Sequence, residues 1–176
     1  MEFRALKIPD VMVLKPKIFD DSRGYFYEAY NEKVFNKIVN QEITFVQDNI
    51  SKSKIGTLRG LHMQNEPFAQ SKLVRVLEGK IFDVAVDMRP ESKYFRQWVG
   101  EELSAESFNQ IWIPKGFAHG FLAMTENVVI HYKTDNIYSK DHEITYKWDD
   151  PVFDIDWPMK DYKYEISEKD AKAPML

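Results

Sequence analysis

Apolar and polar residues alternate with a period of two along nearly the whole chain, interrupted by turn residues at intervals of about 8–12 positions. A chain that sends successive side chains to opposite sides suits a pleated strand and cannot form an amphipathic helix. The spacing predicts strands over 11–14, 25–30, 44–51, 57–62, 71–77, 81–88, 97–103, 109–113, 117–124 and 128–134. Glu78-Gly79 separates two of them and predicts a tight hairpin. One helix is expected, Glu32–Val39, capped by Asn31 and carrying Val34, Phe35 and Ile38 on one face. So many short strands predict an all-β antiparallel sandwich or barrel, and the length of 176 residues predicts one domain, 1–176. No repeat or linker interrupts it, and the more polar tail after Trp157-Pro158 is expected to wrap the outside.

Composition narrows the function. Cysteine is absent, which excludes a disulfide scaffold, thiolate zinc sites and a cysteine nucleophile. Lys+Arg 24 against Asp+Glu 28 gives a net charge of −4, which argues against a nucleic-acid or anionic-membrane partner while leaving room for a local cationic pocket. No apolar run approaches the roughly 20 residues needed to cross a bilayer. The opening Met1-Glu2-Phe3-Arg4 lacks the basic-then-apolar layout of a secretory signal, so a cytoplasmic protein is expected and Asn49-Ile50-Ser51 is no working glycosylation site.

Parity sorts side chains by face. Phe45, Gln47 and Asn49 share one side of their strand, and Val46, Asp48 and Ile50 the other. Lys72 lies with Val74 and Val76, and Tyr132 with Val128 and Ile130. A lysine and a tyrosine aligned with aliphatic neighbours can line a partly apolar cavity, or be a snorkelling cation and an ordinary core ring.

Four histidines are present: His62, His119, His131 and His142. Pro114, Gly116 and His119 form a Pro-x-Gly-x-x-His block that resembles the second half of the cupin pattern, and a metal-binding cupin would carry His-x-His in the first half. Here His62-Met63-Gln64 lacks the second histidine, and two histidines alone make no convincing metal shell. A cupin-like jelly roll without metal or other cofactor is expected. Such a site can still move protons at carbon next to a ketone. The base needs a pKa near neutrality, which histidine has; the enolate oxygen needs a cation or donor, for which Lys72 or His119 is suited. Inversion needs a second group on the opposite face, and Tyr132 is the candidate. A carboxylate must orient the histidine, and Asp83, Asp87 and Asp170 can each serve.

The blocks FDDSRGYF (19–26), FVQDN (45–49), LRGLHMQ (58–64), AQSKLV (69–74), IFDVAVD (81–87), IWIPKGFAHGF (111–121), WDDP (148–151) and ISEKD (166–170) stand in an order that closely resembles the dTDP-4-dehydrorhamnose 3,5-epimerase family over nearly the whole chain. The resemblance implies metal-independent epimerisation of dTDP-4-dehydro-6-deoxy-D-glucose at C3 and C5, within dTDP-L-rhamnose biosynthesis. By position it implies His62 as base paired with Asp170, Tyr132 as acid, and Lys72 at the enolate oxygen. Arg59 and His119 would line the sugar-diphosphate site, and Arg23, Glu28, Gln47 and Asn49 would bind nucleotide and sugar. Phe26 and Tyr138 would flank the thymine, with Glu143 and Lys169 as outer contacts. Similar proteins are homodimers that share binding residues across subunits. Relatives that invert C3 or C5 only, or move the ketone, keep the same base and are the alternative; a cupin-like binding module without turnover is a third reading. Arg59 and His62, three apart, would point to opposite faces of a regular strand, so if both reach one ligand the chain must bulge near Gly60.

Overall fold

Alternate aliphatic residues on two sets of strands point at each other, and this forms the core of the protein, described over residues 1–176 by a computed structural model. The strands are β1 (Glu2–Ala5), β2 (Met12–Lys15), β3 (Phe19–Asp21), β4 (Gly24–Phe26), β5 (Gln47–Lys54), β6 (Thr57–Gln64), β7 (Lys72–Glu78), β8 (Lys80–Asp87), β9 (Trp98–Ser104), β10 (Gln110–Ile113), β11 (Phe117–Ala123), β12 (Asn127–Thr134), β13 (Glu143–Thr145) and β14 (Glu165–Ile166). The helices are α1 (Glu32–Val39) and α2 (Glu168–Ala171). One sheet runs β1-β2-β10-β7-β12-β5 and the facing sheet β13-β6-β11-β8-β9, with β14 parallel to β6 and β3-β4 a separate hairpin. This is the expected all-β, cupin-like jelly roll. No helix is long and apolar enough to cross a membrane.

Three apolar clusters hold the layers. Val74, Val76, Ile111, Ile113, Val128 and Ile130 of the first sheet meet Ile81, Ala85, Val99, Leu103, Phe117 and Phe121 of the second. The second sheet's outer face, with Leu58, Leu61, Val84 and Leu122, is covered by Phe153 and Trp157. The first sheet's outer face, with Leu14, Leu73 and Trp112, is covered by Phe35 and Val39 of α1. The helix begins where expected, since the Asn31 side chain accepts a hydrogen bond from the Val34 N–H. Phe35 is 1% exposed and meets Trp112 edge-on at 5.1 Å. Phe35→Ala removes the helix's central anchor and should lower unfolding free energy by about 3–5 kcal/mol in urea titration; a cost below 1 kcal/mol would mean that α1 is not held by this ring.

Three expectations need correction. Glu78-Gly79 is no hairpin: β7 pairs with β10 and β12, whereas β8 pairs with β9 and β11, so the chain turns there from one sheet into the other. Gly79 makes the corner at φ +78°, with the Asn127 carbonyl only 2.1 Å from where a Cβ would stand. The strand expected over 44–51 starts at Gln47 and continues to Lys54, because Phe45 leaves the sheet to stack with Tyr30, Phe35 and Trp112 beside α1. The strand expected over 25–30 ends at Phe26, after which Tyr27 turns to pack on Phe108. The tail does wrap the outside, but it also returns a buried carboxylate to the interior.

Candidate active site

The geometry of the site begins with an irregularity in β6. His62 pairs with His119 and Arg59 with Phe121, so Gly60 and Leu61 together stand opposite the single residue Gly120. This is the bulge expected from the spacing of Arg59 and His62. Its effect is visible in the packing: Leu58 and Leu61 both join the outer cluster, while Arg59 and His62 both line the interior cleft. Gly60 sits at φ +128°, and a Cβ there would lie 2.5 Å from Gly120 Cα and 2.8 Å from the His119 carbonyl. Gly60→Ala should therefore cost about 1–3 kcal/mol of stability in urea unfolding and shift the imidazole N–H resonance of His62; unchanged values for both would contradict a bulge that needs glycine.

The cleft, about 640 Å³, opens between the two sheets and is lined by Arg59, His62, Lys72, His119, Phe121, Tyr132, Lys169 and Asp170 among others. His62 Nε2 lies 2.7 Å from Asp170 Oδ1. The Gly60 N–H donates to the other Asp170 oxygen at 3.3 Å, and the Asp170 N–H donates to Ser167 Oγ at 3.1 Å. Burial works to raise the Asp170 pKa, but the His62 hydrogen bond and charge, with the Gly60 and Ser167 contacts, hold it below the usual carboxylate value. An ionised carboxylate only accepts hydrogen bonds, so the neutral His62 ring carries its proton on Nε2, toward Asp170, and has its lone pair on Nδ1.

Facing it from the other sheet are Lys72 and Tyr132, on neighbouring strands. Burial pushes the Lys72 pKa down to about 8, against the opposing pull of Asp83 and Glu143. Its Nζ donates weakly to the His62 carbonyl at 3.4 Å. Burial raises the Tyr132 pKa, Arg59 opposes this and Glu143 adds to it, so the phenol keeps its proton at neutral pH. His119 Nε2 lies 2.9 Å from Asp83 Oδ2, and the other oxygen, Oδ1, is buried without a partner. Burial lowers the His119 pKa although Asp83 pulls it up; the Lys72 and His62 charges add to the lowering. The three aspartates left open by spacing are thus separated: Asp170 meets His62, Asp83 meets His119, and Asp87 meets Arg89 and Ser92.

A narrower extension of the cleft, about 250 Å³, shares His62, Lys72 and Tyr132 and adds Gln47, Asn49, Gln64, Tyr138 and Glu143. Gln47 Nε2 donates to Asn49 Oδ1 at 2.9 Å, as their shared face requires. Tyr138 donates its hydroxyl to Glu143 Oε2 at 3.0 Å, and Lys169 Nζ lies 2.6 Å from the same oxygen. Arg59 is braced by Ser53 Oγ and the Lys52 carbonyl, each accepting at 3.1 Å. Arg23, Phe26 and Glu28 line neither part of the cleft. Arg23 is paired with Asp21 in the β3-β4 hairpin, Phe26 is 70% exposed, and Glu28 accepts from Asn31 Nδ2 at 3.1 Å. His131 bonds Arg75 on the opposite face of the sheet from Tyr132, and His142 bonds Ser139, so neither joins the cleft.

No group of three or more His, Asp or Glu side chains is gathered to hold a metal ion. Sequence reasoning missed Asp83 as the partner of His119, and also Ser53 and Gln64. The signal for Asp83 was present: Ile81, Asp83 and Ala85 share the inward parity of β8, which places an acid in an apolar row.

Such a site, with a histidine on one sheet held by a carboxylate from α2 and a tyrosine and lysine on the facing sheet, defines an acid–base enzyme built in a cupin-like barrel. Comparison with known proteins makes the assignment specific. Residues 5–176 match the profile described as dTDP-4-dehydrorhamnose 3,5-epimerase, and the chain belongs to that family. It is 52% identical over 169 residues to the dTDP-4-dehydrorhamnose 3,5-epimerase of Salmonella typhimurium, covering 96% of this chain and 92% of that one. The crystal structure of the Elizabethkingia anophelis enzyme of the same name superposes with a TM-score of 0.95 at 46% identity, covering 100% and 96% of the two chains. The Legionella pneumophila dTDP-6-deoxy-D-glucose-3,5-epimerase, solved in complex with dTDP-4-keto-L-rhamnose, gives 0.95 at 42% identity, covering 99% and 92%.

Proposed function

We propose that this protein, acting as one domain over residues 1–176, epimerises dTDP-4-dehydro-6-deoxy-D-glucose at C3 and C5 to dTDP-4-dehydro-L-rhamnose. The observation that carries the reading is the opposed placement of His62–Asp170 and Tyr132 across one cleft. The C4 ketone acidifies the neighbouring C–H bonds. His62 Nδ1 takes the proton, the C–H electron pair moves to the ketone oxygen as an enolate, and Asp170 stabilises the resulting imidazolium. Lys72 stabilises the enolate oxygen. As the carbonyl re-forms, Tyr132 gives its proton to the opposite face of the same carbon. Before the next inversion, His62 loses a proton to solvent and Tyr132 regains one.

Arg59 and His119 then sit with the sugar and diphosphate, Gln47 and Asn49 with sugar and nucleotide, and Tyr138 beside the thymine, with Glu143 and Lys169 bracing that end. Arg23, Phe26 and Glu28 reach the nucleotide from the partner subunit of a homodimer; their exposure away from the chain's own cleft supports this. Light scattering should then return the mass of two chains instead of 20.8 kDa, and a monomer at working concentration would reject it. A cysteine-free chain suits the reducing cytoplasm.

Proton NMR of the sugar nucleotide with enzyme in D₂O tests the reaction. Deuterium should enter at both C3 and C5. Exchange at one carbon would instead make it a single-centre epimerase, a ketone at C3 an isomerase, and binding without exchange a non-catalytic module.

A further inference from the structure

Gln64 follows His62 by two residues on β6 and is 5% exposed, yet no step of the reaction uses it. It also holds the place where a metal cupin would carry its second histidine. Its amide is fully engaged elsewhere. Nε2 donates to the Phe68 carbonyl at 2.6 Å and the Ile137 carbonyl at 3.2 Å, and Oε1 accepts from the Ser139 N–H at 2.7 Å. Two of these contacts flank Tyr138 directly. The Tyr138 N–H itself donates to Gln47 Oε1 at 2.9 Å. Three successive residues of this loop are therefore fixed by two glutamine side chains, while the Tyr138 ring remains 53% exposed at the edge of the cleft.

We infer that Gln64 is a positioning residue for nucleotide recognition: one buried amide clamps both sides of Tyr138 and so presents its ring to the base. This rests on the reading of Tyr138 as the residue beside the thymine. A flat ring on a loop must otherwise be ordered when the ligand arrives, and pre-ordering lowers that cost. The clamp also ties the nucleotide end to the strand that bears His62. A hydrocarbon of similar size at position 64 would leave the Ser139 N–H and the Ile137 carbonyl unpaired and release the loop, but it would leave His62, Lys72, Tyr132 and Asp170 where they are.

The test is calorimetric titration of dTDP into wild type, Gln64→Leu, Gln64→Glu, Tyr138→Ala and the Gln64→Leu/Tyr138→Ala pair. Tyr138→Ala should weaken dTDP about 10-fold, in the range of one lost base–aromatic stack. Gln64→Leu should approach that loss, and Gln64→Glu, which keeps the acceptor and loses both donors, should fall between. The double variant should bind about as Tyr138→Ala alone does, because Gln64 acts through that ring. In turnover, KM should rise far more than kcat falls. Losses that simply add would overturn the proposal, as would a silent Gln64→Leu beside a weakened Tyr138→Ala. A silent Tyr138→Ala would instead overturn the placement of Tyr138 at the base. Where the Gln64 variants do not fold, amide exchange in the wild-type protein decides: slow Tyr138 and Ser139 N–H groups support the clamp, and exchange at open-loop rates removes it.

Discussion

His62→Asn is expected to lower kcat by about 10²–10⁴-fold, the range for losing a positioned general base, while dTDP binding stays close to wild type. Asparagine is a compact, neutral replacement that keeps a polar group in the cleft, although its amide ends one bond short of the Nε2 position that meets Asp170. What it lacks is a basic nitrogen. The 2.7 Å contact to Asp170 commits Nε2 of the native ring, leaving Nδ1 as the atom able to take a proton from carbon. Asp170→Asn should show a smaller version of the same loss, since a neutral amide can accept the Nε2 proton but cannot stabilise the imidazolium by charge. Deuterium uptake into the sugar should slow in parallel with turnover in both variants. Near-normal uptake in His62→Asn would assign the base to another group, and His119 beside Asp83 would be the next to test.

How much of this was legible in the sequence depends on how far apart the cooperating residues are along the chain. Alternation put Lys72 and Tyr132 on the same face as core aliphatics but could not tell a cavity-lining group from a snorkelling cation and a core ring, a choice that the structure makes by lining the cleft with both. Gln47 and Asn49 followed by the same rule. The bulge was legible in a different way: Arg59 and His62 cannot share a side of a regular strand, and a glycine lies between them. Alternation has no reach beyond its own strand, however. Asp170 lies 108 residues from His62, and only resemblance singled it out; the structure brings it in through a short helix at the end of a polar tail. Asp83 had the right parity but no sequence feature tying it to His119. The corner at Glu78-Gly79 misled because a positive-φ glycine serves a hairpin and a sheet crossing equally well, and the choice is made by distant strands β10 and β12. Arg23, Phe26 and Glu28 line neither part of this chain's own cleft, and no pattern within one strand could have told that.

The other large effect is expected at Lys72, where activity and stability should move in opposite directions. Lys72→Met should lower kcat by about 10²–10³-fold, the range for removing one group aimed at a developing oxyanion. Methionine fills similar volume but brings no charge. In the wild-type enzyme the ammonium loses its proton as pH rises through about 8, so kcat should decline on the alkaline side there. The variant, with no proton to lose at this position, should lack that limb. For stability the sign is reversed. The folded-state pKa lies below the ordinary 10.5, so the unfolded chain binds the proton more tightly. At pH 7 both states are charged and the folded protein bears the full cost of the half-desolvated ammonium. Between about 8 and 10.5 the folded form releases the proton first, and that cost is relieved as pH rises. Lys72→Met removes it at every pH, so its Tm should exceed wild type at pH 7 by several degrees, at about 2–4 °C per kcal/mol for a chain of this size, with the gap narrowing by pH 10. Turnover profiles and thermal melts at the two pH values measure both halves. A variant that is less stable at pH 7 would mean that Lys72 is held by attraction to Asp83 and Glu143 more strongly than burial disfavours it, and a variant that keeps its turnover would remove Lys72 from the reaction.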